Sequence, residues 1–205
     1  MSYQESESSA PQTSFILNTM EPITNILSQS KSICIVGNAQ SILEKKNGDW
    51  IDSFESVIRM NRWFPKKKKF QGSKTDILAL SCSIKEREYI KRFGAPPVTW
   101  MTPKRDKVPG WISPEKLAFY PEKYWQQLYE KLQQHRPSTG AMVIDLVCNY
   151  IKPETLRITG FDFKATHTLF EKKEHLGLHD WALEQDFTLS LMATAKEEGR
   201  DWLIV

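Results

Sequence analysis

Three histidines, His167, His175 and His179, fall within thirteen residues of this chain. Imidazole titrates near neutral pH, so a histidine held beside a hydroxyl can take its proton as a general base. Asp180 follows His179, and Glu184 comes one and a half turns along a presumed helix. The plainer readings of the two acids are a first-turn carboxylate favoured by the helix dipole and an ordinary surface glutamate. His175 and His179 have the i, i+4 spacing of a zinc pair, but Gly177 lies between them and no acid completes a ligand pattern. A second constellation is Ser138-Thr139-Gly140, just before an apolar helix. Its hydroxyls and the free N–H groups of a helix start can hold a phosphate, or the serine can serve as a plain N-cap.

Two further polar tips end apolar runs. Ser-Ile-Cys-Ile-Val over 32–36 leads into Gly37-Asn38, and a second run ends in Ile58-Arg59-Met60-Asn61. Donor-rich tips after buried strands predict a nucleotide site at the carboxyl edge of an α/β sheet, with Gly37 for close backbone approach and Asn38 for paired hydrogen bonds. The spaced glycines of a dinucleotide fingerprint and the Gly-Lys-Ser/Thr of a P-loop are both missing. No Asp-x-Asp occurs either, the pair with which many nucleoside-diphosphate-sugar transferases hold a metal. A nucleoside monophosphate leaves with less charge, which N–H groups, hydroxyls and a protonated histidine can stabilise. We therefore expect no metal and no cofactor.

The elements that position these residues alternate. Strands are predicted at 32–36, 56–60, 76–81, 98–101, 155–161 and 201–205. Helices are predicted at 15–29 with a break near Pro22, from Pro121 to about 135, over 141–151, and from His179 to about 198. Residues 103–114, with three prolines and a glycine, read as a loop. Short apolar runs bounded by Gly, Pro, Ser and Asp suit buried parallel strands. The expected fold is a single three-layer Rossmann-like α/β domain over 14–205 with a mostly parallel sheet. Residues 1–13, rich in Ser and Glu, are expected to be disordered.

The chain of 205 residues has a formal charge of +3, yet Arg59, Arg62, Lys66 to Lys69 and Lys74 put +7 into residues 59–74 with no acid among them. Such a segment is either a solvated loop or a surface for an anionic glycan, phospholipid headgroups or nucleic acid. With Trp63, Phe64 and Phe70 interleaved, it also sustains an alternative reading as a nucleotide- or RNA-binding module. Cys34, Cys82 and Cys148 lie in apolar contexts without Cys-x-x-Cys spacing and read as reduced thiols of a cytoplasmic protein. No stretch approaches the roughly 20 apolar residues of a membrane span. Trp100, Trp111 and Trp125 are candidates for an acceptor groove or, more plainly, for core packing.

In order, these segments resemble the sialyltransferases of glycosyltransferase family 29. Cys34-Ile-Val-Gly-Asn38, Gly48, Ile51-Asp52 and Val57-Ile-Arg-Met-Asn61 resemble that family's large motif. Pro137-Ser-Thr-Gly140 and Gly160-Phe161 resemble its small motif, and His179 with Glu184 its very small one. The resemblance spans about 31–190, and bacterial family 42 shares similar logic. It implies a variant GT-A-type fold and a metal-independent, inverting transferase that takes a CMP-activated 3-deoxy-2-ulosonic acid, sialic acid or Kdo, to a glycan or glycolipid acceptor. Gly37, Asn38 and Asn61 would contact the nucleotide and its phosphate. Ser138, Thr139 and Gly140 would hold phosphate, ribose or cytosine. His179 would be the general base and His167 the donor to the leaving phosphate, with Arg59 and Glu184 in support. Cys148 lies about four residues early for the animal enzymes' disulfide to Cys34, so no bridge is expected. The implied setting is bacterial and cytoplasmic, with Lys66 to Lys69 at the inner face of a membrane and no nucleic acid as partner.

Overall fold

The structure, a computed structural model, describes residues 20–62, 65–163 and 179–205. Its strands are β1 Ser32–Val36, β2 Ser56–Met60, β3 Ile77–Leu80, β4 Val98–Trp100, β5 Leu117–Phe119, β6 Thr155–Thr159 and β7 Asp201–Ile204. They form one seven-stranded sheet in the order β5-β4-β3-β2-β1-β6-β7, with every pairing parallel. The helices are α1 over 20–27, α2 Gly48–Asp52, α3 Lys68–Gln71, α4 Glu86–Glu88 running on through Tyr89–Phe93, α5 Glu122–Lys131, α6 Thr139–Asp145 extended by Leu146–Ile151, and α7 Trp181–Glu197.

The strands are apolar on both faces because both faces are covered. Alternate side chains go opposite ways. Ile33, Ile35, Ile58, Met60, Ile77 and Ala79 pack on the layer that includes α1, α5, α6 and α7. Cys34, Val36 and Val57 pack instead on Ile42, Ile51 and Phe54 around α2. Leu78, Leu80, Val98 and Trp100 pack on Ile84, Tyr89 and Phe93 around α4. The expected three-layer architecture is therefore the observed one.

Some local expectations change. β5 was not anticipated: it is three residues long, pairs only with β4 at the sheet edge, and follows a proline-rich stretch that hides so short a run. Residues 20–27 are helical without a break at Pro22, because Met20, Ile23 and Leu27 keep one buried face. α5 stops at Lys131, after which Gln133 and Gln134 take left-handed φ of 52° and 63°. α7 begins at Trp181 rather than at His179, since Asp180 caps it by accepting from the Leu183 N–H at 3.0 Å.

After β5 the chain returns through α5 and α6 to β6, on the far side of β1. Strand order thus reverses between β1 and β6, the place where parallel α/β sheets take ligands. There the Gly37 N–H donates to the Thr159 carbonyl at 2.7 Å and the Ala39 N–H to the Gly160 carbonyl at 3.0 Å. A Cβ on Gly37 would lie 2.1 Å from the Gly160 oxygen, so only glycine allows the two tips to meet.

Candidate functional site

Asn61 sits just past β2 with φ of 53°, a left-handed geometry that asparagine tolerates better than most residues. Its backbone N–H donates to the Ala79 carbonyl at 2.7 Å. Its Oδ1 accepts from the Ser81 N–H at 2.9 Å and from the Cys82 thiol at 3.7 Å. Its Nδ2 donates to Thr139 Oγ1 at 3.1 Å, and that hydroxyl donates on to Ser81 Oγ at 2.8 Å. One amide thus ties together the tips of β2 and β3 and the start of α6. The Asn61 side-chain amide oxygen and the Thr139 hydroxyl are spent on this junction rather than turned outward.

Ser138 is the N-cap of α6, its Oγ accepting from the Ala141 N–H at 3.1 Å. It is held from the other side by Glu184. The Ser138 N–H donates to Glu184 Oε1 at 2.7 Å and the Ser138 hydroxyl to Oε2 at 2.6 Å. Glu184 is only 3% exposed, so the surface reading of this residue is corrected: its carboxylate is a structural anchor between α7 and α6. Burial pushes the carboxyl up to about 7, against the opposing pull of the two Ser138 hydrogen bonds, while nearby Asp180 pushes it the same way as burial.

His179 precedes the cap of α7, and its Nδ1 lies 2.6 Å from the Arg136 carbonyl. A carbonyl only accepts, so Nδ1 carries the hydrogen, and in a neutral ring Nε2 is then the acceptor nitrogen. The start of α7 therefore grips the 136–138 segment twice, through His179 and through Glu184, on either side of Pro137. This fixes the imidazole next to the start of α6, where the Thr139 and Gly140 N–H groups have no intrahelical partners. Gly140 leaves room for the Phe161 ring: a Cβ there would come 2.7 Å from its edge, so the ring would have to shift.

Asn38 is half-buried at the β1 tip, and its side-chain amide makes no hydrogen bond among the described residues. On the same edge a cavity of about 220 Å³ opens between the turn Gln40–Leu43 and the ends of β6 and β7, with Glu44, Lys45, Asn47, Phe161 and Asp162 in its wall.

Other candidates lie elsewhere. Arg59 is fully buried, and its Nε and Nη2 donate to the Lys74 and Gln71 carbonyls at 2.8 Å, so it pins the basic segment under the sheet edge. Lys66 to Lys69 are exposed, and part of that segment forms α3 rather than open loop. His167 and His175 lie outside the described residues, as do Trp63 and Phe64. Trp100 belongs to the core, Trp111 packs on Tyr89 and Trp125 stacks on Tyr129. All three cysteines are free thiols. Among the described residues no cluster of His, Cys, Asp and Glu suits a metal ion. Sequence reasoning missed Ser81, a lone serine at a strand end, and Arg136, which acts through a backbone carbonyl that no side-chain pattern reveals.

Fold and site together define a Rossmann-like α/β protein with a donor-rich sheet edge at its switch point. No protein-family model matches the chain, and no curated protein is significantly similar to it in sequence. Among solved structures, the fold is that of sialyltransferases. A mammalian sialyltransferase in complex with Gal-β-1-3GalNAc-ortho-nitrophenol matches 99% of this chain and 81% of its own, with a TM-score of 0.66 at 18% identity. The sialyltransferase CstII from Campylobacter jejuni, in complex with cytidine-5'-monophosphate, matches 85% of this chain and 79% of its own, with a TM-score of 0.53 at 14% identity. CST-II is also solved with a trisaccharide acceptor and CMP, at a TM-score of 0.54 and 12% identity over 85% of this chain and 80% of its own. At such identities the likeness is one of fold.

Proposed function

We propose that this chain is a sialyltransferase-like glycosyltransferase. It moves a 3-deoxy-2-ulosonic acid, sialic acid or Kdo, from a CMP-activated donor to a glycan hydroxyl, with inversion and without metal. One observation carries the reading: His179, with Nδ1–H committed to the Arg136 carbonyl, is clamped to the segment that leads into the helix start at Thr139–Gly140. The CMP and acceptor saccharides bound by neighbours of the same fold support it.

The chemistry follows from these groups. The donor's anomeric carbon already bears a carboxylate, so its bond to the phosphate oxygen can break early and leave an oxocarbenium-like centre. The acceptor oxygen attacks from the opposite face while His179 Nε2 takes its proton, a step typically worth about 10²–10⁴ in rate. The N–H groups of Thr139 and Gly140 and the positive end of α6 stabilise the departing phosphate. Asn38 supplies an unspent amide to the nucleotide, and Asn61 holds the three tips in register. The role of His167 as donor to the leaving phosphate rests on the sequence resemblance. Arg59 and Glu184 act in support, by anchoring the segments on which the site stands. The exposed Lys66 to Lys69 support peripheral contact with an anionic inner membrane face from the cytoplasm.

The test uses purified His179→Ala protein, CMP titration calorimetry and transfer from CMP-sialic acid and CMP-Kdo. Transfer should fall at least a hundredfold while CMP still binds, and the wild type should keep full activity in EDTA. Near-normal turnover of the variant would remove His179 from the mechanism, and strict dependence on added metal would remove the metal-free scheme.

A further inference from the structure

The pair Glu184–Ser138 is more than a clamp. Ser138 Oγ has one hydrogen to give and two lone pairs to fill. One lone pair is taken by the Ala141 N–H at 3.1 Å. The hydrogen goes to Glu184 Oε2 at 2.6 Å when that carboxyl is ionised, because a carboxylate only accepts. In that state Ser138 has no hydrogen left for a ligand at the start of α6.

We propose that Glu184 is a positioning residue whose protonation releases the Ser138 hydroxyl to the anion bound at the start of α6. This deepens the proposed function and rests on its assignment of the CMP phosphate to that helix start. When Glu184 carries a proton, its own O–H donates to Ser138 Oγ and its other oxygen still accepts from the Ser138 N–H. The serine hydrogen is then free to turn to the phosphate. The backbone grip on α6 is the same in both states; only the direction of one hydrogen bond changes.

The surroundings favour the switch. Glu184 is 3% exposed, and burial raises its carboxyl to about 7, so both states are populated near neutral pH. Asp180, the cap of α7 one turn back, pushes in the same direction. From the 136–138 segment come the Ser138 hydrogen bonds and, across Pro137, the Arg136 carbonyl with the His179 ring upon it. Further along α7, Lys131 of α5 lies over the Phe187 ring, 5.9 Å from its centre. As pH rises through about 7, Glu184 ionises and recaptures the hydrogen, so phosphate binding weakens.

Glu184→Gln imitates the protonated form permanently. Its Oε1 accepts from the Ser138 N–H and its Nε2 donates to Ser138 Oγ. CMP affinity is measured by calorimetry from pH 6 to 8.5 for wild type and variant. Their ratio cancels the titration of CMP's own phosphate. If the ionised state binds much more weakly, the ratio is close to one at pH 6 and the wild type becomes as much as about 30-fold weaker at pH 8.5. Ser138→Ala is the second arm: its deficit against wild type should be greatest at pH 6 and vanish by pH 8.5. Ratios that stay flat with pH, with CMP bound, overturn the coupling alone. Absence of CMP binding by the wild type at every pH overturns both the coupling and the function beneath it.

Discussion

Replacing Gly37 with alanine tests whether the switch point is built as described. The new Cβ would lie 2.1 Å from the Gly160 oxygen and 2.7 Å from the Phe161 ring, whereas real Cβ atoms essentially never come within 3.0 Å of such neighbours. The obstacle is backbone, and Gly160 is itself held at φ of 70°, so neither side can yield by a rotamer change. The β1 and β6 tips must part by about 1 Å, which by the usual cost of overpacking is about 1–3 kcal/mol. The Gly37–Thr159 and Ala39–Gly160 hydrogen bonds, 2.7 and 3.0 Å long, stretch with it. Each is worth about 1 kcal/mol net. The expected loss is therefore about 3–5 kcal/mol, a large share of the roughly 5–15 kcal/mol that holds a domain together. Urea unfolding measures it, with Gly110→Ala as control, since nothing lies within 4 Å of a Cβ there. The control should stay within about 0.5 kcal/mol of wild type. A Gly37→Ala protein of wild-type stability that has lost CMP binding would refute the packing argument, and would give Gly37 back to the nucleotide.

The cysteines offer a footprint of the site. Cys34 is buried and its thiol is pushed up to about 12 by that burial, Cys148 is raised for the same reason, and Cys82 is half-buried beside Asn61. Mass spectrometry after brief maleimide treatment should find Cys82 labelled first and CMP slowing it; equal labelling of all three, or no effect of CMP, would contradict the site. The basic segment predicts sedimentation with vesicles rich in anionic lipid at low salt, released at 0.5 M salt and lost when Lys66 to Lys69 become serine. Indifference to lipid charge would remove the membrane proposal.

The frame was legible because it rests on local pattern. Buried parallel strands need apolar side chains on both faces, and Cys34-Ile-Val and Val57-Ile display that directly. β5 was hidden because three residues carry no periodicity. Among the candidate site residues, Asn61 meets Thr139, His179 and Glu184 hold the 136–138 segment, and Gly37 and Gly140 both abut Phe161. What could not be read was direction. Asn61 and Thr139 spend their polar atoms on each other and on Ser81, and Gly37 and Gly140 make room for Gly160 and Phe161. Residue type announces a donor or a gap, but only tertiary packing decides whether a ligand or the protein fills it.

Glu184 shows the same logic with an energy attached. Its folded carboxyl stands near 7 against an ordinary 4.5. Below 4.5 the carboxyl is neutral in both folded and unfolded chains. Between 4.5 and 7 the folded chain keeps a proton that the unfolded chain has lost, so stability falls as pH rises through that window. Above 7 the charge is buried, at a cost of about 3 kcal/mol. A glutamine would make the same two contacts with Ser138 without that cost. Packing alone therefore gives no reason for an ionisable group here. A group whose proton must come and go does give one, and it stands against the same serine that caps the helix start beside His179.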